Sequence, residues 1–270
     1  MTDPEMDVER ELLSQPLREP VLCSAIKDLQ FPAGSRGLDA GCGIGLQTML
    51  LAEHVGSGGS VTGLDISPEA IGSASDIVNE VGLSDSIAFR EGDLNIIPFN
   101  DNTFDWAWSA DCVGYIPADP LHMLNELVRV VKPGGTVAII AWSSEKLLPG
   151  YPLLEARLNA TTSGMAPFLK GKNPEQHFLR SFGWFRQAGF VDLSARTFSG
   201  QACAPLADDM YNALAALFKM RWEGAGQELA DEDRKEFFRL CHQESRDFIL
   251  RHPDYYAFFT YSMFHGRVPG

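Results

Sequence analysis

Ser35-Arg36-Gly37-Leu38-Asp39-Ala40-Gly41-Cys42-Gly43-Ile44-Gly45 is the stretch whose reading decides the fold. Leu38 and Ala40 read as a short buried strand, the glycines as a tight turn that lets backbone approach a ligand closely, and Leu46 to Val55 as the following helix. A ligand is therefore expected at the end of the first strand.

The neighbouring residues narrow the ligand. A dinucleotide fingerprint needs its third glycine three places after the second, where this chain has Leu46; Gly45 instead follows Gly43 by two. Asp39, two residues before the first glycine, sets a carboxylate where a pyrophosphate would have to lie near the helix N-terminus. An acidic, glycine-lined turn suits a cation. S-adenosylmethionine (SAM), with an ammonium, a sulfonium and no phosphate, fits such a turn better than NAD does, so a nicotinamide oxidoreductase is disfavoured.

Downstream, Ser60 to Asp65 reads as a second strand, and Ser67-Pro68-Glu69 opens a helix with a cap, a first-turn proline and an acid. Asp65 lies twenty residues beyond Gly45, the distance at which an acidic side chain in a βαβ unit reaches ribose hydroxyls. Ser86 to Arg90 reads as the third strand. The loop Glu91-Gly92-Asp93-Leu94 falls on the same rim, where Asp93 can accept from an adenine amino group while Leu94 and Ile66 face the ring. Phe104 to Ser109 is a fourth strand, and Pro120 to Val131 an amphipathic helix ended by Lys132-Pro133-Gly134-Gly135. Thr136 to Trp142 is an uninterrupted apolar run, as a parallel strand buried on both faces should be. Strand followed by helix, repeated, gives an α/β class with a doubly wound sheet.

Leu38 to Gly45, Gly63-Leu64-Asp65-Ile66-Ser67, Gly92-Asp93, Phe104-Asp105 and Leu127 to Gly135 together resemble the class I SAM-dependent methyltransferases. Within that class the pattern is most similar to the branch of ubiquinone and menaquinone biosynthesis methyltransferases, over roughly residues 30 to 142. The resemblance implies a Rossmann-like seven-stranded sheet and SAM as cofactor, leaving as S-adenosylhomocysteine. It further implies that Asp39 and the turn of Gly41, Cys42, Gly43 and Gly45 hold the methionine end, Asp65 the ribose, Asp93 the adenine amino group, and Ser109 a main-chain contact. Ala110 and Asp111 would line the way to the acceptor.

The bulk numbers agree with an enzyme of this size. The chain has 270 residues, 45% of them hydrophobic, enough for a large α/β domain with an insertion. Its formal net charge of -14 argues against nucleic acid or anionic lipid as partner. Five cysteines, widely spaced and without a C-x-x-C pair, argue against a disulfide framework and against a metal site, and point to a reducing cytoplasm. No apolar run approaches bilayer length, and the start is acidic without an apolar leader.

The remaining chain divides as residues 1–30, an N-terminal helical cover; 31–142, the cofactor core; 143–204, a lid and the second half of the sheet; and 205–270, a helical insertion and the last strand. The cover reads as a helix capped by Thr2 or Asp3 and running to Pro16, then a second from Arg18 to Leu29. Ser143 to Asn173, with apolar spots at Leu153, Leu154, Leu158, Met165, Phe168 and Leu169, has the profile of a lid. Pro174 to Ala188 reads as a helix, Val191 to Phe198 as a sixth strand, and Ala207 to Trp222 and Asp231 to Leu250 as two helices. The aromatic tail Tyr255 to His265 reads as an antiparallel last strand, with a terminal helix as the alternative. Aromatic residues of the insertion, Tyr211, Phe218, Trp222, Phe237, Phe238 and Phe248, fall at helical spacings that favour core over a substrate box.

Methyl transfer from a sulfonium is an in-line displacement that alignment and desolvation accelerate, and a base is needed only for an acceptor that keeps its proton near neutral pH. His177 and His122 are the histidines to test, with Tyr115 and Asp111 as further candidates at the exit of the fourth strand. The expected activity is methyl transfer to a small, partly apolar molecule, by a chain that can form a homodimer. The alternative is a non-catalytic SAM-binding regulatory or assembly subunit.

Overall fold

A computed structural model describes residues 4–114, 119–165 and 174–270, and within it the side chains from residue 8 onward. Thr2, Asp3, Tyr115, Phe168, Leu169 and the end of the expected lid at Asn173 lie outside the described residues.

Seven strands form one sheet in the order β3-β2-β1-β4-β5-β7-β6, with β7 alone antiparallel to its neighbours. The strands are β1 (Arg36–Ala40), β2 (Ser60–Asp65), β3 (Ile87–Glu91), β4 (Phe104–Ala110), β5 (Val131–Lys146), β6 (Val191–Cys203) and β7 (Tyr256–Arg267). The order reverses between β1 and β4, the crevice where doubly wound sheets hold ligands. Helices α2 (Leu46–Val55), α3 (Pro68–Glu80) and α4 (Pro120–Val130) are the crossovers. Ser67 accepts from the Ala70 N–H and Asp119 from the Leu121 N–H, so two of these helices start with a side-chain cap followed by proline.

Strand β5 shows why the sheet is covered on both faces. Val137, Ile139 and Ala141 enter one core with Leu38, Leu124, Leu127 and Phe264; Ala138 and Ile140 enter the other with Trp106, Trp108, Leu22 and Trp222. The period of two in a wholly apolar run demands a helical layer on each side.

Several boundaries depart from the sequence reading. The N-terminal segment is one helix, α1 (Pro4–Leu29), continuing through Pro16 and Pro20. Each interior proline costs about 3 kcal/mol. Full burial of Leu17, Val21, Leu22 and Ile26 contributes about 1.5–3 kcal/mol apiece, so tertiary packing outweighs the breaks. The lid stretch begins as sheet, since β5 runs on to Lys146 paired with β7, and then forms α5 (Pro152–Asn159) and α6 (Thr162–Met165). The single helix expected over Pro174 to Ala188 is two 3-10 turns, Pro174–Gln176 and Phe178–Arg180, and then α7 (Ser181–Gln187). His177, extended at φ -71 and ψ 130, interrupts it. Strand β6 overruns its expected end by five residues because β7 offers it a partner as far as Tyr256.

The insertion consists of α8 (Asp208–Trp222) and α9 (Asp231–Cys241), the second shorter than expected. His242 is extended, and Arg251 donates to the carbonyls of Gln243 and Ser245, tying the following residues into a loop. Phe218, Trp222, Phe237 and Phe248 are buried, as core residues should be, whereas Phe238 is exposed. Helix α1 packs along α8. The tail is strand β7, not a helix.

Candidate active site

The glycine turn sits at the carboxyl end of β1, beside the switch point. Gly41 and Cys42 N–H groups both donate to the Leu64 carbonyl of β2, at 2.8 and 3.1 Å, which folds the turn over the strand ends. Gly41 has φ 80, and a Cβ there would stand 2.5 Å from Cys112 Sγ; Gly43 has φ 53, and a Cβ there would stand 2.5 Å from Glu11 Oε1. Both the left-handed backbone and the close neighbours exclude a side chain at these positions.

A cleft of about 460 Å³ opens in front of this turn, a size usual for small-molecule sites. Of the residues singled out in the sequence, Gly41, Cys42, Gly43, Asp65, Ile66, Asp93, Leu94 and Asp111 line it. Asp39, Gly45 and Ser109 do not. Asp39 is buried behind the turn and accepts from Thr48 Oγ1 at 2.7 Å. Burial pushes its carboxyl up to about 7 against the opposing Thr48 bond, with the Asp65 and Glu11 charges adding to the rise. Gly45 begins α2, and buried Ser109 accepts the Val113 N–H at its Oγ.

Asp65 is held as a rim acceptor: one oxygen takes the Gly43 N–H at 2.9 Å and the other the Ser67 N–H at 3.0 Å. Asp93 Oδ1 accepts from both Asn95 nitrogens at 2.8 Å, and these bonds hold its carboxyl below the usual range. Ile66 stands exposed at the mouth and Leu94 is buried, an apolar pair fit to face a planar ring. Cys42 and Cys112 are both pushed up by burial first and then by neighbouring carboxylates, Cys112 to about 12, so neither is a thiolate at neutral pH.

Sequence reasoning missed Glu11 and Arg18, which α1 lays across the cleft. Glu11 accepts the Ile44 N–H at 3.4 Å, above the glycine turn. Arg18 donates to Asp111 Oδ2 at 3.1 Å. Their spacing of seven would have marked one helical face, but ending the helix at Pro16 separated them. With Asp65, Asp93 and Asp111, the cleft carries far more negative than positive charge. A glycine cradle, an acidic wall and an apolar clip fit the ammonium, sulfonium and adenosine of SAM.

Asp111 is also a junction. Oδ2 also accepts from the Tyr261 hydroxyl at 3.2 Å, and Oδ1 accepts the Trp142 N–H at 3.0 Å. Trp142 in turn lines a second cavity of about 330 Å³, bordered also by His177, Phe178, Met165, Glu145 and Arg221. Glu145 is buried there, accepting from Trp142 Nε1 at 2.5 Å and from Arg221 NH2 at 2.6 Å. His177 Nδ1 accepts the Leu179 N–H at 3.2 Å, so the neutral ring carries its proton on Nε2. His122 is on the outer face of α4, 74% exposed beside Asp119, and borders neither cavity. Among the described residues no helix is long and apolar enough to cross a membrane.

The Methyltransf_11 methyltransferase-domain model matches residues 38–139. A demethylmenaquinone methyltransferase of Staphylococcus epidermidis is 33% identical over 193 residues, covering 63% of this chain and 74% of that protein. One from Staphylococcus aureus is 30% identical over 192 residues, covering 66% and 77%. The crystal structure of a SAM-dependent methyltransferase from Aquifex aeolicus superimposes with a TM-score of 0.54 at 26% identity, covering 73% of this chain and 92% of that one.

Proposed function

This chain belongs to the class I SAM-dependent methyltransferases, in their menaquinone-methyltransferase-like branch, and from that premise we propose that it methylates a small, partly apolar acceptor of the quinone class. The observation that carries the proposal is the second cavity, linked to the cofactor cleft through the Asp111–Trp142 hydrogen bond and lined by Trp142, Phe178 and Met165 together with polar groups that include Glu145, His177 and Arg221. The names borne by its relatives point to the same acceptor class.

Bound SAM supplies an electrophilic methyl group on a positively charged sulfur. The ring carbons of a quinone are electrophilic too, so the acceptor must be the reduced quinol, whose hydroxyls push electron density onto the ring. Trp142, Phe178 and Met165 would pack against that ring, the polar groups of the wall would meet its hydroxyls, and holding it in line is where much of the acceleration arises. His177 borders the cavity, with Nδ1 engaged by the Leu179 N–H, and is the residue there whose replacement tests for a proton acceptor. Asp111, already engaged by Arg18, Trp142 and Tyr261, acts as a positioning residue and not as the base. Tyr115 lies outside the described residues, and exposed His122 has no part in this scheme.

The test is transfer of tritiated methyl from SAM to short-chain naphthoquinols and benzoquinols kept reduced, beside amines, thiols and carboxylates. Label on the quinols, lost when the quinones are left oxidised, is the expected result. Label confined to amines or carboxylates would overturn the proposal.

A further inference from the structure

The geometry points to Arg18 of α1 as the residue that binds the methionine carboxylate of the cofactor, with Asp111 holding it ready. The inference rests on the cofactor alone and not on the acceptor proposed above.

Arg18 Nε is the one buried side-chain nitrogen or oxygen without a hydrogen-bond partner among the described residues. Buried donors left in this way are rare and ask for an explanation. A guanidinium presents Nε–H and an adjacent NH2 hydrogen as a flat fork matched to the two oxygens of one carboxylate. Here NH2 meets Asp111 Oδ2, while Nε meets no acceptor and Asp111 Oδ1 is turned to the Trp142 N–H. The pairing is half made, and a second carboxylate can complete it.

Charge selects that carboxylate. Among the described residues lining the cleft, Arg18 is the one cation, facing Glu11, Asp65, Asp93 and Asp111. The amino-acid end of the cofactor carries one ammonium and one carboxylate. The acidic wall serves the ammonium and repels the carboxylate everywhere except at Arg18. Position agrees: Glu11 stands over Gly43 and Arg18 beside Asp111, so α1 spans the switch point with opposite charges one heptad apart. Arg18 already borders the cleft.

Calorimetry on the full chain tests this with two ligands, SAM and decarboxylated SAM, which keeps the amine, the sulfonium and the adenosine. Wild type is expected to bind SAM at least tenfold more tightly than the decarboxylated ligand. Arg18→Gln should lose that preference by weakening SAM binding tenfold or more, while its affinity for the decarboxylated ligand stays within twofold. Arg18→Lys should recover part of the preference. Equal weakening for both ligands would show a structural role through Asp111 and overturn the inference, as would no weakening for either. Should Arg18→Gln fail to fold, as judged by circular dichroism, the wild-type comparison still decides, since equal affinity for the two ligands overturns it. A chain that binds SAM with this preference yet leaves quinols unmethylated would sink the acceptor proposal and leave Arg18 standing.

Discussion

Asp39 makes the stability of this protein depend on pH in a direction opposite to that of most acidic residues. Its buried carboxyl is raised from 3.8 to about 7, burial being the largest cause. Between about pH 4 and pH 7 the folded chain holds a proton that the unfolded chain has released, so stability falls as pH rises through that window and the loss is complete above it. With those two values, Asp39 removes about 2–3 kcal/mol between pH 5 and pH 8. Asp39→Asn keeps an oxygen to accept from Thr48 Oγ1 but cannot ionise, so the contribution vanishes. Urea unfolding of both proteins at pH 5, 6.5 and 8 gives the comparison, with all other titrating groups cancelling in the difference. The wild type should lose about 2–3 kcal/mol relative to the variant across the range. Curves that stay parallel within about 0.5 kcal/mol, well inside that figure, would refute a raised Asp39. A cationic ligand in front of the turn favours the ionised carboxylate, so binding of SAM near pH 7 should also release a proton, seen as a buffer-dependent heat.

Two further outcomes follow from buried contacts. Arg221→Met leaves Glu145 charged and unpaired among Trp142 and its neighbours, a loss of about 3–5 kcal/mol, or roughly 5–10 °C in Tm for a chain of this length. The double replacement Glu145→Gln with Arg221→Met should recover more than half, and a double variant no better than the single one would speak against the pair. Gly41→Ala forces a side chain into left-handed backbone 2.5 Å from Cys112 Sγ, so it should cost about 2–4 kcal/mol and weaken S-adenosylhomocysteine binding at least tenfold. Unchanged calorimetric affinity in that variant would mean the turn does not approach the ligand.

The parallel half of the sheet was legible in the sequence because its signals are local. Ser60–Asp65 begins and ends as read, since β-branched and apolar residues between a glycine run and a capped helix leave little freedom. Asp65 and Asp93 could be placed on the rim for the same reason: Asp65 ends β2, and Asp93 stands two residues beyond the end of β3. What escaped depends on contacts distant in sequence. Pro16 is a correct local break signal that burial against the sheet and α8 overrides, and with it went Glu11 and Arg18. The ends of β5 and β6 are set by the length of β7, which neither strand encodes. Asp39 looked like a ligand because its spacing is right, yet its side chain turns to Thr48 behind the wall, a choice no spacing reveals. His122 sits one residue from Met123, which does line the cleft; a helix sends neighbouring side chains in directions about a quarter-turn apart.

The pairing of Cys203 with Tyr256 at the far ends of β6 and β7 closes everything between them into a loop whose two ends meet. Directly opposed residues stand only about 5 Å apart, so residues 204–255 enter and leave the sheet at one point. The path and register of the seven strands are thus indifferent to what hangs there, and a short hairpin turn would join the same ends. The helices α8 and α9 are in this sense a graft: exchangeable for another sequence without rewiring the cofactor half, provided that the replacement again shelters α1, whose apolar face α8 now covers. Arg221 and the wall it lends to the second cavity travel with the graft. The rest of that wall, Trp142, Met165, His177 and Phe178 among it, stays with the sheet and the segments before it, so a new graft would change one side of the second cavity and leave the glycine turn and its acidic partners in place.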